Sequence, residues 1–176
     1  MDVTRPEVWL RGPVPGVRAE LMPVVHSLLQ VGEDIEGAAA LLSNAELWAT
    51  PGGAASVGFH LKHIAGSLDR LLTYARGEGL TAEQRVALAE EKQAGEPPLD
   101  VQSLVGSTQQ VIGRALEQIR ATPVSWLHDV RRVGRAGLPS TVLGLLFHAA
   151  EHAQRHAAQI ITTTKIVTGR RPNVMI

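Results

Sequence analysis

Cysteine is absent from this sequence of 176 residues, aromatic residues make up only 3% of it, and its formal net charge is zero. Without cysteine, a disulfide, a thiolate metal site and a cysteine nucleophile are all excluded, so any thiol chemistry must use a substrate's sulfur. A nucleic-acid-binding protein is disfavoured as well, because there is neither a basic excess nor a supply of stacking rings.

Long hydrophobic runs are also missing. No stretch reaches the ~18 apolar residues of a membrane span, and the N-terminus has no apolar core of signal-peptide length. We therefore expect a soluble cytoplasmic protein without a membrane partner.

Apolar residues, which make up 44% of the chain, recur at spacings of three and four residues in four stretches. This periodicity predicts four amphipathic helices, at about residues 17–43, 56–76, 100–121 and 140–165. Pro23 lies inside the first stretch and is tolerated in a first turn, so that helix is a candidate to begin there. Ser56 and Asp100 are suitable N-caps for the second and third helices.

The remaining segments connect these helices. Residues 1–16 are rich in proline and glycine and are expected to form an extended arm, which Trp9 would hold against the body. Residues 77–99 form a long polar connection with a short helix near 81–92, and residues 122–139 form a structured loop. The sequence predicts an all-α four-helix bundle in one domain, residues 1–176, with a long connection between helices 2 and 3.

Three histidines in the last predicted helix are the strongest functional signal. His148, His152 and His156 follow one another at four-residue steps, each of which advances about 40° around a helix. They share a stripe with Leu145 and Gln159, which we expect to face the bundle interior or a cleft in it. His148 and His156 are ~12 Å apart along the axis, too far to share one ion easily.

A second cluster, His60 and His63, lies on the second predicted helix among aliphatic residues. Buried imidazoles need partners for both ring nitrogens, and a metal shared between the two clusters is the simplest solution. The alternative is a set of ordinary core histidines. A Glu-x-x-His pair on two helices and an HExxH motif are both absent, which disfavours a dinuclear carboxylate site and a protease of the HExxH type. The few aromatic residues argue against a bis-histidine haem.

Two segments resemble a known family. SVGFHLKHIA (56–65) and HAQRHAAQ (152–159) are similar to the motifs of the DinB-like (YfiT-like) superfamily of bacterial four-helix bundles, the second of which is H-x-x-x-H-R-G-Q. The resemblance implies a metal site made of His63, His152 and His156. Ala157 and Ala158 stand where the family has Arg-Gly, so a cation beside the metal is missing.

Other residues are candidates for supporting roles. Arg131, Arg132 and Arg135 could supply the missing cation, although we favour a solvated surface loop for them. His60, His148 and Gln159 are candidates to hydrogen-bond the ligands or to act as a fourth ligand. No catalytic residue is identified, because nothing in the sequence ranks His60, His148 and Glu151 as general acid or base.

Three neutral nitrogen ligands leave positions open for water or substrate, as in a catalytic metal site. The ion would be a divalent Ni, Zn, Fe or Mn, which the ligand set does not distinguish. The resemblance implies a homodimer and either hydrolysis of a small substrate or transfer of a low-molecular-weight thiol (bacillithiol, mycothiol or glutathione) to an electrophile. We favour thiol transfer in detoxification or stress response. The alternative is a non-catalytic metal-binding or stress-response bundle.

Overall fold

Four long helices form the body of the computed structural model, which describes residues 6–170. Part of the predicted N-terminal arm, residues 1–5, and the last six residues lie outside this range. The elements in chain order are α1 (Met22–Ala39), α2 (Asn44–Leu47), α3 (Val57–Ala75), α4 (Ala82–Ala89), α5 (Val101–Ala121), β1 (Val130–Val133), β2 (Leu138–Thr141) and α6 (Val142–Thr168). The helices α1, α3, α5 and α6 make the bundle, which confirms the predicted fold class.

The helices α3 and α5 are neighbours that run in the same direction. On α5, Thr108 and Gln118 donate hydrogen bonds to the carbonyls of Leu61 and Leu72 on α3, so residue numbers rise together along the two helices. A parallel pair needs a connection that returns along the bundle. Residues 76–100, which we call the crossover segment, provide this connection, and α4 within it packs against α3.

The helix ends follow local sequence signals. Ser56, Asp100 and Thr141 each accept a hydrogen bond from a backbone N–H in the first turn of the helix they precede, which confirms the first two predicted N-caps. Pro23 lies in the first turn of α1, as expected if the helix begins there.

The core between the four helices is built from Leu, Ile, Val and Ala. Within residues 6–170, no helix has the length and apolar character needed to cross a membrane.

Two parts of the structure differ from the prediction. The loop predicted at 122–139 contains most of an antiparallel hairpin, in which β1 pairs with β2. The N-terminal arm is held by Val8, which is buried and whose N–H donates to Gln30, while Trp9 is 62% exposed. The expectation that Trp9 anchors the arm is therefore wrong, because the single turn at Val8–Leu10 directs the smaller side chain inward.

Candidate metal centre

Three histidines from two helices converge at one point of the bundle. His63 on α3 faces His152 on α6, with 2.9 Å between their Nε2 atoms. His156 lies one turn further along α6, and each of the three rings offers a nitrogen within 4.8 Å of the others. Because α3 and α6 are antiparallel, residues almost ninety positions apart in the chain meet here.

The outer nitrogen of His63 is held by a carboxylate. Glu91, in the crossover segment, accepts a hydrogen bond from His63 Nδ1 at 2.7 Å and another from Arg70 at 2.7 Å, and it is only 5% exposed. Burial alone would raise the pKa of Glu91, but the bonds from His63 and Arg70 outweigh it and keep the pKa below its usual value. The carboxylate is therefore ionised at neutral pH and fixes the proton of His63 on Nδ1.

The outer nitrogen of His156 is held by a fourth histidine. The Nδ1 atoms of His60 and His156 lie 2.9 Å apart, so one ring donates to the other. Burial is the main reason that the pKa of each falls to about 4, and the neighbouring histidines lower it further. Both rings are therefore neutral at pH 7, the state in which an imidazole can bind a metal.

A row of polar side chains runs along the open edge of the cluster. His148 donates from Nδ1 to Glu151 at 2.7 Å, and Arg155 donates to the same carboxylate oxygen at 2.9 Å. The Arg155 guanidinium also lies 3.3 Å from Nδ1 of His152. Burial, followed by the charges of His63, His148 and Arg155, lowers the pKa of His152. His152 thus joins the histidine cluster to the solvent-exposed row.

Comparison with known proteins agrees with this architecture. The DinB superfamily matches residues 27–160. The chain belongs to the DinB superfamily. YfiT from Bacillus subtilis, described as a probable metal-dependent hydrolase with an unusual four-helix bundle topology, shares the fold with a TM-score of 0.63 at 16% sequence identity. The match covers 90% of this chain and 93% of that one. No curated protein matches the sequence.

The donor set of this DinB bundle fits a divalent metal ion. His63 and His152 point Nε2 atoms at each other across 2.9 Å. Two lone pairs at that distance repel, so either a proton or a cation must lie between them. Ligand distances of about 2.0–2.1 Å, typical of zinc and imidazole, require only a small separation of the rings. The outer nitrogens of His63 and His156 have hydrogen-bond partners in Glu91 and His60, as those of histidine ligands usually do.

The position of the remaining predicted residues corrects part of the sequence interpretation. Leu145 is buried, but His148 and Gln159 are exposed, so the expectation that the whole stripe faces inward is wrong at these two positions. Each four-residue step rotates about 40° around the helix axis. Residues at the ends of a long series with this spacing therefore turn away from α3. Gln159 makes no hydrogen bond to the cluster among residues 6–170.

The arginines before α6 lie away from the cluster. Arg131 donates to the carbonyl of Ala75 at the end of α3, twelve residues or ~18 Å beyond His63. Arg132 bonds within the hairpin and Arg135 is exposed, which agrees with the surface-loop interpretation. The position of the family's arginine is taken by Ala157, which is buried, and a cation reaches His152 from Arg155 instead.

Three neighbours of the cluster were not anticipated. Phe59 stacks on His63 with ring centroids 5.4 Å apart, and Arg70 and Glu91 form the ion pair behind it. Arg70 lies seven residues after His63, two turns along the same face, so periodicity could have indicated it. Glu91 is one acid among several in a polar segment and carries no such signal.

Proposed function

We propose that this protein is a metal-dependent enzyme whose divalent ion is held by His63, His152 and His156. The observation that carries the proposal is the convergence of three histidine ring nitrogens within 4.8 Å. Glu91 and His60 hold the outer nitrogens of two of these rings, which leaves Nε2 of His63 and of His156 for the ion. Three protein ligands leave a position open for water or substrate, as catalytic sites require.

An ion at this site would supply Lewis acidity, which lowers the pKa of a bound water or thiol. The description of YfiT as a probable metal-dependent hydrolase supports hydrolysis of a small substrate. Transfer of a low-molecular-weight thiol to an electrophile is the second candidate. The chain has no cysteine, so no thiol of its own would compete with such a co-substrate for the ion.

The polar row at the open edge of the histidine cluster contains candidates for a general base and for an anion-binding group. His148 donates from Nδ1 to Glu151, so in the neutral ring Nε2 carries the lone pair, and the side chain is 48% exposed. Its ring lies 5.4 Å from that of His152, centroid to centroid. We therefore assign His148 as the candidate general base and Arg155, at the same edge, as the candidate contact for an anionic substrate group.

Elemental analysis of purified protein tests the metal site. After incubation with Ni, Zn, Fe or Mn and removal of free ion, we expect about one ion per folded chain and its loss in His152→Ala. His128→Ala, which changes an exposed histidine outside the cluster, is the matched control. His148→Gln should keep the ion. Folded wild-type protein that retains none of the four metals would refute the proposal.

Turnover separates the enzyme from a non-catalytic metal-binding or stress-response bundle. Loaded protein is assayed against a panel of small esters and amides, and against electrophiles with glutathione, bacillithiol or mycothiol, each with a chelator control. We expect turnover that disappears with chelator and falls in His148→Gln. A fully loaded protein inactive on the whole panel favours the non-catalytic alternative. Light scattering would test the proposed homodimer.

A further inference from the structure

We infer that Glu91 is a positioning residue of the metal centre, brought to His63 by the crossover segment, and that it sets the orientation and tautomer of that ligand. The inference rests on the proposed metal site. It assigns a role to a residue outside both motifs of the histidine clusters, and it makes the crossover segment part of the site.

The two oxygens of the Glu91 carboxylate have different partners. Oε2 accepts from Nδ1 of His63 and Oε1 accepts from Arg70, both at 2.7 Å. An ionised carboxylate can only accept, so Nδ1 of His63 carries a proton, and in the neutral ring the lone pair is then on Nε2, which faces His152. A carboxylate behind a histidine also increases the basicity of its other nitrogen and thereby strengthens a metal bond.

The backbone around Glu91 is fastened to the same turn of α3 that carries the ligand. Lys62, the neighbour of His63 in the chain, donates from Nζ to the carbonyls of Glu90 at 2.6 Å and of Gln93 at 2.8 Å. These two bonds lie on either side of Glu91 in the chain. The crossover segment is thus fixed to α3 at the point where its carboxylate meets His63.

A glycine on α3 makes room for this carboxylate. A Cβ atom at Gly66 would lie 2.5 Å from Oε1 of Glu91 and 2.7 Å from Nη1 of Arg70. Both atoms are the ends of long side chains, so alanine here would displace the ion pair without a clash against backbone. Gly113, in the middle of α5, has no atom within 4 Å of an added Cβ and provides a matched control.

The experiment compares Glu91→Gln, Gly66→Ala and Gly113→Ala with the wild type. An amide has one acceptor oxygen and cannot serve His63 and Arg70 together, so we expect zinc affinity, measured by competition with a chromogenic chelator, to fall about 10–100-fold. Gly66→Ala should weaken zinc several-fold, and Gly113→Ala should leave it unchanged. Nitrogen NMR of labelled histidine in metal-free protein should show His63 protonated on Nδ1 in the wild type and a mixed population in Glu91→Gln.

The outcomes distinguish this inference from the function on which it rests. Wild-type zinc affinity and an unchanged His63 spectrum in Glu91→Gln would overturn the positioning role. If Glu91→Gln does not fold, wild-type affinity in folded Gly66→Ala would overturn it instead. A wild-type protein that binds none of Ni, Zn, Fe and Mn would refute the proposed metal site, and the NMR comparison would then decide alone whether Glu91 fixes His63.

Discussion

Lowering the pH from 7 to 5 is expected to destabilise the metal-free protein through His60 and His156. Burial holds the pKa of each at about 4 in the folded state, against 6.5 for an unperturbed histidine. The unfolded chain therefore binds more protons in this window, so stability is complete above pH 6.5 and is lost as the pH falls toward 4. For His60, which is 2% exposed, the loss at pH 5 is about 2 kcal/mol. His156 is less buried and contributes less.

Urea denaturation in the presence of EDTA at pH 7, 6 and 5 measures this effect. His60→Gln removes one titrating ring, and its loss of stability between pH 7 and pH 5 should be smaller than that of the wild type by about 2 kcal/mol. His128→Gln changes an exposed histidine and should follow the wild type. A wild-type free energy of unfolding that is the same at pH 7 and pH 5 would show that the two rings do not stay neutral in the folded state, and the reasoning would fail.

The remaining predictions concern ligand binding and packing. Zinc at 100 times its dissociation constant should stabilise the protein by about 2.7 kcal/mol and raise the melting temperature in a thermal scan, whereas His152→Ala should show no rise. Gly58→Ala places a Cβ 2.7 Å from the Trp48 ring and should cost about 1–3 kcal/mol in urea denaturation, unlike Gly113→Ala. Asp100→Ala removes the N-cap of α5 and should cost about 1 kcal/mol by the same assay, and an unchanged midpoint would contradict the capping role.

The four bundle helices were predictable because their signals are local. Apolar spacing, the caps at Ser56 and Asp100 and the position of Pro23 all act within a few residues, and each is found where the sequence placed it. The hairpin was missed because β1 and β2 are four residues each, and their pairing depends on a turn whose glycines also suit a loop. Short strands with mixed exposure lack a periodicity that could distinguish them from irregular chain.

The histidine cluster was predictable only in part. Spacing along one helix indicates which side chains share a face, but the choice of His63 as the partner across the bundle came from the family resemblance. The same spacing wrongly placed His148 on the inward face. The rotation of about 40° at each four-residue step leaves its side chain at the exposed edge of the cluster. Glu91 could not be found locally, since its contact with His63 joins residues 28 positions apart and depends on how the crossover segment packs against α3.

In a chain without cysteine, distant segments cannot be joined by a disulfide, but an ion bound between His63 and His152 would join α3 to α6. An ion held by both would be a reversible cross-link closing a loop of 89 residues. Because the unfolded chain does not hold the ion, the stabilisation would depend on the free ion concentration relative to the dissociation constant and not on the entropy of that loop. Metal supply would then determine how long the protein resists unfolding and proteolysis, with a chelator acting on it as a reductant acts on a disulfide-bonded protein.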